Sequence, residues 1–240
     1  MIRIAIIAAL PSELKPLTRS WTHKHNNGVD LWRNRVGDTE WLAACAGAGQ
    51  PAATRAFAAT EQDGPIDGVF SIGWAGALSD DFLPGRAYPL SGVIDTHTGE
   101  RFRTTGEQCE CWLATSGRVA DEGEKLRLAV TYAASLVDME AAAIARLAAM
   151  RGIPFYCFKG VSDGFHDRLP DFNPFLAPDG QFRTSRFIFY ALIRPWHWPA
   201  LVRMGENSKK ASEAIAVSVL DILNQLETSR KGHGDTNHQR

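Results

Sequence analysis

Five places in the chain pair reactive side chains with a backbone able to present them. Glu13 follows a short apolar run. Gly47-Ala48-Gly49 makes a glycine turn, and Gly73-Trp74-Ala75-Gly76 is a run of mostly small residues. Glu140 stands in Val137-Asp138-Met139-Glu140-Ala141-Ala142-Ala143, and Ser162-Asp163 follows another apolar run. Carboxylates of this kind suit general acid–base chemistry, in which one activates a water and another hands a proton to a leaving group. A carboxyl that donates near neutral pH needs burial or close contact to raise its pKa. Each residue alone also has a plain structural explanation. Glu13 and Glu140 read as first-turn helix acids favoured by the helix dipole. Asp163 reads as an N-cap or turn acid. The glycines read as turn residues, because a short G-x-G says little about phosphate.

The elements that must position these groups follow from the pattern of apolar residues. Ile2 to Ala9 is a nearly continuous apolar run, as expected of a strand buried on both faces. Segments 31–36 and 41–45 read as the next strands, with a Gly37-Asp38 turn between them. Pro51 opens an alanine-rich helix to about Thr60. Segment 68–73 is another buried strand, 86–94 is extended, and 113–116 is a short strand. Segment 138–150 reads as a helix that is acidic in its first turn and ends at Gly152. Segment 154–160 is a strand, and 207–227 is a closing amphipathic helix. Residues 228–240 read as a polar, disordered tail. Alternating strands and helices predict a single α/β domain over 1–227, with no repeat and no linker. In such sheets, functional groups gather beyond the carboxyl ends of the strands, which is where all but Glu140 of these candidates fall.

Composition narrows the setting. The chain has 240 residues, with 26 Lys+Arg against 27 Asp+Glu and a hydrophobic share of 45%. That balance gives no general attraction to nucleic acid or to anionic membrane. Cys45, Cys109, Cys111 and Cys157 form neither a disulfide framework nor a paired metal pattern, so they fit a reducing cytoplasm. The N-terminal run reads as a buried strand rather than a signal segment. No stretch reaches the roughly 18 apolar residues of a spanning helix.

In combination the motifs are more specific. The chain resembles the purine nucleoside phosphorylase and nucleosidase superfamily, particularly its methylthioadenosine/S-adenosylhomocysteine nucleosidase branch. The resemblance rests on the strand leading to Glu13, on Ser71-Ile72-Gly73-Trp74-Ala75-Gly76-Ala77-Leu78, and on the V-D-M-E-A-A-A-I-A run, followed by a strand and Ser162-Asp163. It implies a three-layer αβα fold with a central mixed β-sheet. It implies cleavage of a purine N-glycosidic bond, with adenine released and neither metal nor organic cofactor used. Glu13 would orient the attacking water. Met139 and Glu140 would hold the ribose. Asp163, supported by Ser162, would hydrogen-bond the purine and help protonate its N7. Gly73, Ala75 and Gly76 would floor the base site. The loop Gly117-Arg118-Val119 would offer backbone contacts to adenine. Phosphate is a possible co-substrate. Pairing of subunits into a homodimer is implied as well.

The acceptor and the substrate's 5′ group stay open at this level. The arginines that phosphorolytic members place after the first strand and before the later glycine turn are replaced here by Leu10-Pro11-Ser12-Glu13 and by Ser71, which favours water. Arg55, Arg118 and Ser12 are possible phosphate-binding substitutes. The aromatic and basic insertion at 167–205 pulls the other way. Its core, DFNPFLAPDGQFRTSRFIFYALIRPWHWPALVRMG, resembles the hopanoid-associated phosphorylases. That implies adenosylhopane, a lipid-linked substrate, as the molecule cleaved. Phe187, Phe189, Tyr190, Leu192, Ile193, Trp196, Trp198, Leu201 and Val202 lie among Arg183, Arg186, Arg194 and Arg203. Such a mixture suits a lipid interface and a location peripheral to the inner membrane, or a core or dimer contact. Two other functions remain open: a soluble methylthioadenosine/S-adenosylhomocysteine nucleosidase, and a non-catalytic nucleoside-binding protein.

Overall fold

The isoleucine-rich run Ile2–Ala8 forms strand β1, and its side chains alternate between two cores. Ala5 and Ile7 point to one face, while Ile4, Ile6 and Ala8 point to the other. Burial on both faces explains why the run is apolar throughout. The computed structural model describes residues 1–106, 110–177 and 179–234. The helices and strands after β1 are, in order, α1 (Pro11–Thr18), β2 (Thr22–Asn26), β3 (Val29–Val36), β4 (Thr39–Cys45), α2 (Gln50–Thr60), β5 (Gly68–Ala77), β6 (Ala87–Pro89), β7 (Gly92–Asp95), β8 (Arg101–Arg103), β9 (Trp112–Thr115), α3 (Glu122–Tyr132), β10 (Leu136–Asp138), α4 (Ala141–Arg151), β11 (Phe155–Asp163), α5 (Thr184–Leu192) and α6 (Trp198–Gly234).

Among the described residues one mixed sheet carries all eleven strands, as the fold-class expectation required. The hydrogen-bonded path runs β2-β3-β4-β1-β5-β10-β9-β7-β8, and β11 branches from β5 to pair with β6. β1 is parallel to β4 and β5, and β5 is parallel to β11. Helices α2 and α4 cover one face, and α1 and α6 cover the other. The result is three layers.

Three boundaries differ from the sequence expectation in ways that matter for the site. β5 runs on to Ala77, because β10 pairs antiparallel with its end, Leu136 opposite Ala77 and Val137 opposite Gly76. Helix α4 starts at Ala141 rather than at Asp138. Asp138 ends a strand, and Glu140 is the N-cap with non-helical φ −126° and ψ −40°. Glu140 is therefore not a first-turn helix acid. β11 likewise extends through Asp163, so Ser162-Asp163 belongs to the strand, at an irregularity in its pairing with β5. The closing helix begins at Trp198 and remains helical to Gly234, so the tail expected to be disordered from Thr228 is helical for its first residues. Residues 235–240 and Cys109 lie outside the described residues.

The 167–205 insertion splits into two parts. Phe172, Phe175, Phe182, Phe187 and Tyr190 pack their rings together. Ile188, Phe189, Leu192, Ile193, Trp196, Trp198 and Val202 remain exposed. Among the described residues no helix is long and apolar enough to cross a membrane.

Candidate active site

The parallel strands β1, β4, β5 and β11 deliver their carboxyl ends to one edge of the sheet. β10 runs back antiparallel along the end of β5 and brings Met139 and Glu140 to the same place. A cavity of about 170 Å³ results, and its wall includes Glu13, Ala75, Gly76, Val119, Met139, Glu140, Ser162 and Asp163. Eight of the nine expected site residues thus meet. The ninth, Gly73, is not in the wall. It has φ +136°, and a Cβ there would lie 2.7 Å from Glu13 Oε1. Its lack of a side chain makes room for Glu13.

Glu13 is buried and anchored by backbone. Its Oε2 accepts from the N–H groups of Ala9 (2.9 Å) and Leu10 (2.7 Å), and its Oε1 accepts from Trp74 N–H (2.7 Å). Burial pushes its carboxyl above the ordinary range, against the pull of those N–H groups and of Lys159. It is an acid of the first turn of α1 and a cavity residue at once. Glu140 Oε1 accepts from Gly49 N–H at 2.7 Å. Its pKa is pushed up to about 7, first by burial and then by Asp138, with Lys159 opposing.

Asp163 accepts from Ser162 Oγ (2.6 Å) on Oδ1 and from Lys125 Nζ (2.5 Å) on Oδ2. The Ser162 support expected from sequence is present. Lys125 was not expected. It comes from α3, is 2% exposed, and also donates to the Gly164 carbonyl at 2.6 Å. Gly76 is where both side chains cross, because a Cβ there would lie 3.1 Å from Asp163 Oδ2 and 3.2 Å from Lys125 Cε.

A second buried cation lies beneath the site. Lys159 Nζ is 2.9 Å from Asp138 Oδ2, and both side chains are essentially inaccessible. Burial works against the Lys159 charge, but Asp138, with Cys157 and Glu140, outweighs it and holds its pKa up. Asp138 also accepts from Thr115 Oγ1 (2.7 Å) and from Ala141 N–H (2.9 Å), which fixes the turn that presents Met139 and Glu140. A lone lysine inside the apolar strand Phe155–Asp163 was a visible signal, because a buried charge needs a partner. Lys125 carried no such signal within its charged helix.

The N–H groups of the glycine turn bond within the chain. Gly47 N–H donates to Ala9 O (3.0 Å), Ala48 N–H to Gly180 O (2.8 Å) and Gly49 N–H to Glu140. Gly47, at φ +108°, is needed because the insertion docks there: a Cβ would lie 2.5 Å from the Gly180 carbonyl oxygen. The three possible phosphate-binding substitutes are also placed. Ser12 lines a separate groove between α1 and α6. Arg55 donates to the carbonyls of Ala46 and Asp179. Arg118 is on the cavity rim, 3.5 Å from Glu124.

Val119 lines the cavity, but its backbone is engaged. Its N–H donates to Asn173 Oδ1 (2.9 Å), and its carbonyl accepts from Asn173 Nδ2 (3.1 Å). The insertion thus supplies a carboxamide where sequence reasoning expected the edge of a base. A larger cleft of about 930 Å³ adjoins at Met139 and Arg118, and its other walls include Ser116, Arg146, Leu176 and Gly180. Among the described residues no group of three or more His, Cys, Asp or Glu is arranged to hold a metal ion.

No curated protein sequence matches the chain. Solved structures do resemble its fold. The 5′-methylthioadenosine/S-adenosylhomocysteine nucleosidase of Helicobacter pylori superposes with TM-score 0.71 at 15% identity, over 94% of this chain and 99% of that one. The futalosine hydrolase of the same organism gives 0.71 at 14%, over 93% and 98%. The 5′-methylthioadenosine nucleosidase of Arabidopsis thaliana gives 0.70 at 14%, over 93% and 95%. A family model matches residues 3–114 and 111–179, and on that match the chain belongs to the Phosphorylase superfamily.

Proposed function

We propose that the protein cleaves the N-glycosidic bond of an adenosyl compound, releases adenine and passes the sugar to water. The observation that carries this reading is the convergence of Glu13, Met139, Glu140 and Asp163 on one cavity. Breaking the bond puts positive charge on the sugar and negative charge on the departing base. Glu13 and Glu140 would steady the first and direct water and sugar hydroxyls. Asp163 would engage the base. General acid–base assistance of this kind contributes roughly 10²–10⁴-fold. A non-catalytic binding protein has no need to hold three carboxylates this close in a desolvated cavity.

Water as acceptor is supported by the backbone bonds of the glycine turn and by the carbonyl contacts of Arg55, which leave neither free to bind phosphate. Glu13 would also repel an incoming phosphate.

The 5′ group is proposed to be large and apolar, as in the adenosylhopane of hopanoid biosynthesis. Support for size comes from the 930 Å³ cleft beside Met139, whose walls also carry Asp95, His97, Glu124 and Arg146. Support for an apolar group comes from the exposed Phe189, Leu192, Ile193, Trp196 and Trp198, in the same segment of chain as Arg183 and Arg186. Apolar rings beside cations suit the boundary of a lipid layer, which would place the protein at a membrane surface. A homodimer whose partner closes the cleft belongs to this reading. The small cavity alone favours a second reading, a soluble methylthioadenosine/S-adenosylhomocysteine nucleosidase.

One assay separates these. The protein is incubated with adenosylhopane or with 5′-methylthioadenosine, with and without phosphate. Free sugar in both conditions supports water, whereas a sugar 1-phosphate refutes it. Preference for 5′-methylthioadenosine would overturn the lipid substrate.

A further inference from the structure

We infer that Lys125 is the source of the proton that the departing base receives, delivered through Asp163; this rests on the N-glycosidic reading above. Three observations point to it. First, Lys125 is buried in the cavity wall rather than solvated, and its ammonium donates to Asp163 Oδ2 and to the Gly164 carbonyl. An ammonium is a proton donor at every position, so the bond to Asp163 carries a proton of Lys125. Second, the chain makes room for this placement, since Gly76 is the position over which Lys125 Cε and Asp163 Oδ2 both pass at 3.1–3.2 Å. Third, the other buried lysine, Lys159, is committed to Asp138 and, at 3.3 Å, to the Ile72 carbonyl, below the site. Lys125 is the cation that bonds Asp163.

Asp163 Oδ2 accepts from the proton-bearing Nζ of Lys125. The pair together has a proton to lose. As the C1′–N9 bond breaks, both its electrons go to the base. The proton that Lys125 donates to Asp163 passes to N7, leaving Lys125 a neutral amine, Asp163 still ionised and the base neutral. Water adds to C1′ and gives up its proton to Glu13. When the base leaves, solvent restores the proton to Lys125, and Glu13 releases its own. The net reaction is nucleoside plus water to free base plus sugar.

The test uses 5′-methylthioadenosine and its 7-methyl cation, whose base departs neutral without any proton. Adenosylhopane and its 7-methyl derivative replace them if the wild type prefers the lipid. Lys125→Met is expected to lower adenine release from the unmethylated substrate by at least 100-fold. On the 7-methyl substrate it should stay within about tenfold of wild type. Lys125→Arg keeps the charge and the bond to Asp163 but cannot yield a proton, so it should show the same split. It also serves if Lys125→Met does not fold. Equal losses on both substrates, or an Arg variant as fast as wild type on the unmethylated one, would overturn the role of Lys125 alone. A wild type that releases no base from any of these substrates overturns the N-glycosidic reading, and the proposal with it.

Discussion

Gly73→Ala puts the packing argument at its most exposed point. The new Cβ would lie 2.7 Å from Glu13 Oε1 and 3.1 Å from its Cδ, roughly 1 Å inside ordinary contact. The carboxylate must retreat and lose at least its bond from Trp74 N–H. A hydrogen bond to a charged group is worth about 1.5–3 kcal/mol. Alanine at φ +136° adds backbone strain of order 1–3 kcal/mol. The sum is roughly 3–6 kcal/mol, which at about 2–4 °C per kcal/mol lowers Tm by about 6–24 °C. Because Glu13 also leaves its water-directing position, turnover below the new Tm should fall about 10²–10⁴-fold. Gly28→Ala is the control: it shares positive φ, at +73°, but its Cβ meets nothing within 4 Å. It should lose a little stability and no activity. Thermal unfolding followed by circular dichroism, with adenine release measured on the folded fraction, reads both effects. A Gly73→Ala protein with the melting point and rate of wild type would refute the claim that this glycine exists to admit Glu13.

Other expectations follow from the buried charges and from the insertion. Glu140 has a pKa raised from 4.5 to about 7, so its protonated form is favoured by folding. Its contribution to stability is fully present below about pH 4.5 and is lost as pH rises through 7. Glu140→Gln should therefore gain Tm relative to wild type between pH 5 and 8; a constant difference across that range would show that the carboxyl is not perturbed. Lys159→Met leaves Asp138 buried without its cation and should cost about 3–5 kcal/mol in denaturant unfolding; a loss under 1 kcal/mol would mean the pair is not what holds the Met139-Glu140 turn. Asn173→Ala frees the N–H and carbonyl of Val119. If the base uses that edge, KM should fall several-fold, and an unchanged KM would place the base elsewhere.

The sequence by itself determined the layers and most of the cavity wall. An apolar run without alternation, as in Ile2–Ala8, has one stable solution, a strand covered on both faces, and Glu13 must then emerge at its carboxyl end. The motifs around Met139-Glu140 and Ser162-Asp163 were named by the family resemblance that their order along the chain carries. Tertiary structure decided what those groups bond. Glu140 reaches Gly49, 91 residues away, only because β10 turns back against β5, and that antiparallel step left no local periodicity to read. The Lys125–Asp163 pair spans 38 residues, and nothing in the charged segment Glu122–Arg127 marks one lysine for burial. Gly47 read only as a turn residue, and its docking partner Gly180 lies 133 residues away. Periodicity and turn chemistry are local, whereas the partner of a buried charge is set by which strands are neighbours. That neighbourhood is why the acid expected at Asp163 arrives already paired with a lysine.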